Sequence, residues 1–283
     1  LKESSGPADE GHMKLSTGVC IGMAFGGILM GALMGGTSPA SFIDMPALLI
    51  IFLGTLGTTG ASVGPETMGN IVPLYKVALK TKAPKVGERV ALLVSLAEQA
   101  RREGLLALDE RVNQIDDEFT RKGLQLVVDG IDPDLVRDVL EAEIDGMIAR
   151  HHHGAAMFQK AGGFAPTMGI VGTVMGLVHV LQNLSAPSTL GPSISSAFVA
   201  TLLGIGSANV IYLPVAGRLE GLSKAEVELR TLTLDGILAV QAGDNPRVVA
   251  EKLNSYIAPI DRVTEEEAPA AEAGEQRERA EAA

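Results

Sequence analysis

Four stretches of this chain, at 15–36, 46–63, 161–184 and 194–217, contain no Asp, Glu, Lys or Arg. Each is close to the roughly 20 helical residues that a bilayer core requires. In lipid a backbone must satisfy its own hydrogen bonds, which a helix does within one segment. The pattern predicts an all-α membrane protein with four transmembrane helices. Composition agrees, because 46% of the 283 residues are hydrophobic and 20% are charged, too apolar for an ordinary soluble domain. The net charge of -11 is partly a property of the chain's end, where 263–283 carry seven Glu against two Arg.

The first two stretches are joined by GTSPASFID, whose one charge is Asp44, and the last two by SAPSTLGPS, which has none. Each pair reads as a membrane hairpin. Lys76, Lys80, Lys82, Lys85 and Arg89 follow the second stretch, Arg150 and Lys160 precede the third, and Arg218 and Lys224 follow the fourth. Basic flanks stay in the cytoplasm, so both short loops are expected outside and both termini inside. The expected organisation is an appended leader at 1–12, ahead of the start-like MKLSTG, then a transmembrane hairpin at 13–64. A helical cytoplasmic domain at 65–160 lies between the second and third spans. The second hairpin covers 161–217, a C-terminal cytoplasmic helical segment 218–262, and 263–283 form an acidic tail with too few apolar residues to fold alone. Inside the cytoplasmic domain Val90, Leu93, Val94 and Ala97 recur at helical spacing. Asp132-Pro133 looks like an N-cap with proline at N1, opening a helix that carries Val136, Leu140, Ile144 and Ile148 on one face and continues into the third span.

Among the polar residues of the spans, Thr167, Thr173 and Thr201, with His179 and Asn209, are the candidates to weigh. Intramembrane ionisable residues are the usual markers of an ion path. Hydroxyl and carbonyl oxygens can share in coordinating a hard cation but do not balance its charge. If the protein handles ions, the carboxylate comes from another chain. A self-sufficient channel or transporter is disfavoured on the same ground. Gly18, Gly22 and Gly26, then Gly27, Gly31 and Gly35, form small-residue stripes that suit close helix contact and point towards an oligomer. Pro166 and Pro214 each remove a helix donor near the cytoplasmic end of a span, which suits a hinge. His179 reads as an interfacial polar residue. His151, His152 and His153 are consecutive, cannot share one helical face and make a poor chelate. With one cysteine, Cys20, no phosphate loop and no triad-like grouping, neither an enzyme nor a resident metal or cofactor is expected, and no nucleic-acid partner.

In order and spacing, "ARREGLLALDE", "APTMGIVGTVMGLVHVL" and "SSAFVATLLGIGSANVIYLPVAGRL" resemble the MotA/PomA component of the bacterial flagellar stator, in the MotA/TolQ/ExbB superfamily, over about 13–259. The resemblance implies an inner-membrane pentamer around a dimer of MotB/PomB, whose membrane helix supplies the ion-binding aspartate. Thr173 and Thr201 would face that aspartate, and Pro166 and Pro214 would couple ion passage to movement. Arg101 and Asp109 would be the charged pair that contacts the rotor protein FliG, with Arg102, Glu103 and Glu110 able to share the work. The acidic position holds Asp109 where the family more usually has Glu, which leaves Asp109 and Glu110 both open as the contact. The coupling ion is H+ or Na+: the hydroxyl of Thr173 suits sodium, yet related proton-driven proteins keep a threonine there. The alternative is an ExbB/TolQ-type energiser of outer-membrane processes, whose three spans and outward N-terminus differ from the hairpin that begins here.

Overall fold

The computed structural model describes residues 17–81, 84, 86–185 and 187–257. The leader at 1–12 and the acidic tail at 263–283 fall outside the described residues, as do Lys82 and Lys85. Among the described residues there is no strand. In chain order α1 is Thr17–Met34, α2 Met45–Leu48, α3 Gly54–Val63, α4 Pro65–Met68, α5 Ile71–Lys80, α6 Val86–Glu103, α7 Asp109–Val112 and α8 Glu118–Val128. They are followed by α9 at Pro133–Gln182, α10 at Pro187–Ser207, α11 at Leu213–Ala242 and α12 at Pro246–Asn254. Two π-helical turns, Leu49–Leu53 and Ala208–Tyr212, join α2 to α3 and α10 to α11. Among the described residues four helical runs are long and apolar enough to cross a membrane: Thr17–Met34, Met45–Val63, Pro133–Gln182 and Pro187–Ala242.

The chain forms two compact units, Leu1–Lys82 with Arg150–Leu222, and Ala83–Ala149 with Ser223–Ala283. The first unit holds the apolar spans. Its second span starts at Asp44, whose carboxylate caps α2 by accepting from the Ala47 amide at 3.1 Å and also accepts from the Ser196 hydroxyl of α10 at 2.7 Å. The α3 helix lies antiparallel to α9: a Cβ on Gly54 would meet Met168 Sδ at 2.9 Å, while Lys160 Nζ donates to the Ser62 carbonyl at 3.1 Å. Ala155, Met157, Phe158, Ala161 and Ala165 of α9 are buried with Val215, Ala216 and Leu219 of α11, and Tyr75 of α5 meets Phe158 edge-on with centroids 5.2 Å apart.

The glycine stripes expected to bring α1 against other helices do not do so within the chain. A Cβ on Gly22, Gly26, Gly27 or Gly31 would meet nothing within 4 Å, and no α1 residue is buried. Small residues permit close approach without creating it. Between α9 and α10 the close approaches fall at Gly169, Gly172, Gly176 and Gly204, where the opposing residues are small as well.

The second unit is built on an amphipathic core. Leu93 and Leu96 of α6, Leu124 of α8, Leu140 of α9, Leu232 and Ile237 of α11 and Leu253 of α12 are fully buried. The expected face of Val136, Leu140 and Ile144 is buried, but Ile148 is 39% exposed and Met147 is buried in its place. Four-residue spacing overshoots the 3.6-residue turn by about 40° a step, so three steps carry Ile148 off the face that Met147 rejoins. Arg230 lies over the Phe119 ring at 4.9 Å and pairs with Glu226 at 3.0 Å and Glu143 at 3.5 Å.

Asp117 caps α8, accepting from the Thr120 amide at 2.8 Å, and pairs with Arg89 at 2.6 Å. Burial pushes its carboxyl up, but the hydrogen bonds from the Thr120 hydroxyl and amide, together with Arg89, outweigh burial and hold it below the ordinary carboxylate value. A lowered folded pKa means stabilisation that is complete above the unfolded value of about 3.9 and is lost as pH falls through the folded one. Asp117→Asn is therefore expected to destabilise this unit by about 1 kcal/mol at pH 7, given the partly exposed pair. Thermal unfolding of parent and variant should converge only as pH falls through the lowered folded pKa, below the ordinary carboxylate value; a gap that persists below it would contradict the assignment.

Candidate functional site

The glycines of "FAPTMGIVGTVMGLVHVL" make α9 a docking face for α10. A Cβ on Gly169 would sit 3.1 Å from the Ala200 carbonyl oxygen, one on Gly172 2.9 Å from the Ala200 Cβ, and one on Gly176 2.8 Å from the Ala197 Cβ. From the other side, a Cβ on Gly204 would sit 2.7 Å from the Ala165 carbonyl oxygen and 2.8 Å from Gly169 Cα. The helices run antiparallel in near backbone contact, and in lipid such contact is what holds helices together.

This seam brings Thr173 and Thr201 together. The two hydroxyls hydrogen bond each other. Thr173 Oγ1 also lies 2.9 Å from the Gly169 carbonyl oxygen and 3.0 Å from that of Ala197. Each hydroxyl has one proton and two lone pairs, so the pair cannot donate to every neighbour at once. The result is a half-buried cluster of four neutral oxygens. Such a cluster can contribute ligands to a cation or hold a water, and the anionic charge must come from elsewhere. Beside it the surface is apolar: Ile170, Val174 and Leu181 of α9 and Phe198, Leu202 and Ile205 of α10 are exposed. Phe198 and Ile205 share the Thr201 side of α10 by helical spacing. Towards the Asp44 end, a cavity of about 430 Å³ is bordered by Pro46, Gly172, His179, Ser193 and Ser196.

The other polar residues predicted in the spans lie apart. Thr167 is exposed and donates to the Phe164 carbonyl at 2.7 Å, Asn209 is exposed and donates to the Ile205 carbonyl at 2.9 Å, and His179 is exposed with its carbonyl accepting from Asn183. Pro166 sits inside α9, and Pro214 is the second residue after the π-helical turn Ala208–Tyr212. A π turn widens the backbone where the proline ring and its missing donor would otherwise disturb the preceding turn. The sequence shows the prolines but not these turns.

The predicted charged residues flank one bend of the second unit. Arg101 and Arg102 end α6, Gly104 turns the chain at φ +87, and Asp109 and Glu110 open α7. All four charged side chains are exposed, and among the described residues none is in an ion pair. Leu106 between them is 78% exposed. Sequence reasoning missed what braces the bend. Arg111 donates to Ser95 Oγ at 2.9 Å and to Gln99 Oε1 at 3.3 Å, while Gln99 Nε2 donates to Glu103 at 3.1 Å and to the Ala107 carbonyl at 3.2 Å. Ser95 and Gln99 are four apart on α6, a spacing that could have marked them as one ledge.

Comparison with known proteins supplies the remaining step. Residues 111–231 match the model of the MotA/TolQ/ExbB proton channel family. Motility protein A of Bacillus subtilis is 37% identical over 257 residues, covering 90% of this chain and 95% of that protein. Among solved structures, C. jejuni MotAB superposes with a TM-score of 0.85 at 29% identity, covering 89% of this chain and all of that chain. The flagellar MotAB stator complex from Bacillus subtilis gives a TM-score of 0.80 at 37% identity, with 86% and 96% covered. The chain thus belongs to the motility protein A family, within the MotA/TolQ/ExbB proton channel family.

Proposed function

We propose that this chain is the ion-driven stator subunit of a flagellar motor, a multi-pass inner-membrane protein that assembles with copies of itself and with a MotB-type partner. The observation that carries the reading is the neutral oxygen cluster of Thr173 and Thr201 on apolar stretches without Asp, Glu, Lys or Arg. It suits a subunit that lines an ion path whose carboxylate belongs to the partner. In this reading five copies surround a partner dimer, both termini are cytoplasmic, and Thr173 and Thr201 face the partner's aspartate. Binding and release of H+ or Na+ at that aspartate alternately favour different ring positions. One charge crossing the membrane supplies about 2.3 kcal/mol per 100 mV, enough to bias a step between nearly equal arrangements. Pro166 and Pro214 let the spans bend with each step.

Torque leaves through the unpaired charges of the α6–α7 bend. Arg101 with Arg102, and Asp109 with Glu110, present opposite signs on either side of exposed Leu106, which fits the charged surface of FliG. The test is swimming of a stator-deleted host that expresses the chain with its cognate partner, recorded with and without sodium at fixed proton-motive force. Swimming in both media assigns a proton-driven stator, and swimming only with sodium assigns a sodium-driven one. Absence of swimming by an assembled pair with a compatible rotor would contradict the proposal. In the same host Arg101→Glu is expected to slow swimming severalfold, and a complementary reversal on FliG to restore it. Failure of every such reversal to restore it would remove Arg101 from the contact.

A further inference from the structure

Thr55 and Thr59 stand out among the described residues of the first unit because their hydroxyls are buried and have no hydrogen-bond partner. They are 0% and 1% exposed and continue the buried stripe of Ala47 and Ile51 along the second span. A helical threonine or serine can bond a carbonyl one turn back, and the neighbours do so: Thr58 donates to the Gly54 carbonyl at 2.8 Å and Ser62 to that of Thr59 at 3.0 Å. Leaving a buried hydroxyl unmet is destabilising, and such groups call for an explanation in the molecule's working cycle.

Position along α9 supplies one. The contacts of Gly54 with Met168 and of Ser62 with Lys160 set the antiparallel register of α3 against α9. Between them Thr59 comes level with Gly163 and Thr55 with Thr167, on either side of Pro166. Pro166 has no backbone donor, so the carbonyl of Gly162, four residues earlier, lacks its helical partner. Two unmet donors on one helix lie level with the turn in which Pro166 leaves the Gly162 carbonyl without its helical donor.

We infer that Thr55 and Thr59 are positioning residues for the Pro166 bend, donating to the α9 carbonyls of the Gly162–Pro166 turn in a second state of the membrane unit. The inference rests on the stator reading, in which α9 bends as ions pass. In the state described here the hydroxyls are idle; bending offers them partners, which lowers the cost of the second state relative to the first. Sequence reasoning overlooked both residues because threonine in an apolar span is common and its partner can be read only from register.

The experiment replaces Thr55 and Thr59 together by Val, which keeps the shape and removes the hydroxyl, or by Ser, which keeps the hydroxyl. Each form is assembled with the partner in the stator-deleted host. The double Val variant is expected to assemble normally but to step roughly tenfold more slowly, the effect of one hydrogen bond on a barrier, with the Ser pair retaining most of the rate. The second readout does not depend on motility: spin labels at exposed His153 and Ile170, in Cys20→Ser protein, report the distance across Pro166 in the purified complex. Two distances in the parent and Ser forms, reduced to one in the Val form, support the inference. An unchanged distribution in the Val form overturns it, whatever the motility. If the parent complex does not swim, the stator reading fails, and the label distances still decide the hydroxyl role.

Discussion

Gly204→Ala is expected to abolish swimming and to lower the melting temperature of the assembled complex, although it adds one methyl group to a membrane helix. The added Cβ would lie 2.7 Å from the Ala165 carbonyl oxygen, 2.8 Å from Gly169 Cα and 3.1 Å from Gly169 N. Every one of these neighbours is backbone, so no side-chain rotation relieves the overlap and α9 and α10 must separate. Overpacking of this kind costs about 1–3 kcal/mol. Separation also pulls Thr201 from Thr173, so function falls further than stability. At Gly172 and Gly176 the nearest opposing atoms are the Ala200 and Ala197 Cβ at 2.9 and 2.8 Å, which are fixed to the backbone, so alanine there should also push α9 and α10 apart. Gly206→Ala is the control, since a Cβ at that position meets nothing within 4 Å. Equal damage from Gly204→Ala and Gly206→Ala would show that the seam is not what holds the site.

Thr173→Val and Thr201→Val are each expected to cut ion-driven rotation about 10- to 100-fold, because each removes one oxygen that can meet a charged ligand, an interaction of about 1.5–3 kcal/mol. Their effects on stability should differ. When Thr201 loses its hydroxyl, Thr173 can still donate to the Gly169 or Ala197 carbonyl, whereas Thr201 hydrogen bonds Thr173 itself. Thr173→Val should therefore lower the melting temperature more than Thr201→Val does. Rotation of assembled complexes by tethered beads, paired with thermal unfolding, separates the two quantities. Full rotation by both Val variants would remove the threonines from the ion path.

Much of this was legible in the sequence because lipid imposes a simple rule on it. Uncharged stretches of bilayer length had to be helices, and four helices of that kind are present among the described residues. The Asp132-Pro133 start was equally readable, with the Asp132 carboxylate accepting from the Asp134 amide at 3.0 Å where α9 opens. The α1 glycines meet no neighbour within the chain, and those of α9 and α10 were under-read. A stripe such as that of α1 says what can approach, while Gly169 and Gly204 become a seam because each faces a small partner contributed by a helix distant in sequence. Thr173 and Thr201 were singled out one residue at a time, but the hydrogen bond between their hydroxyls depends on that seam. The brace of Arg111 on Ser95 and Gln99, and the idle hydroxyls of Thr55 and Thr59, depend on tertiary register, which single-helix periodicity does not contain.

The central claim is that this chain lines an ion path without supplying its charge. Ion flux into liposomes tests it directly, with the chain reconstituted alone and with its MotB-type partner under an imposed membrane potential. The account predicts no flux above empty liposomes for the chain alone, and flux with the partner that is lost when the partner's membrane aspartate is replaced by asparagine. Flux through the chain alone, or flux that survives loss of that aspartate, would contradict it.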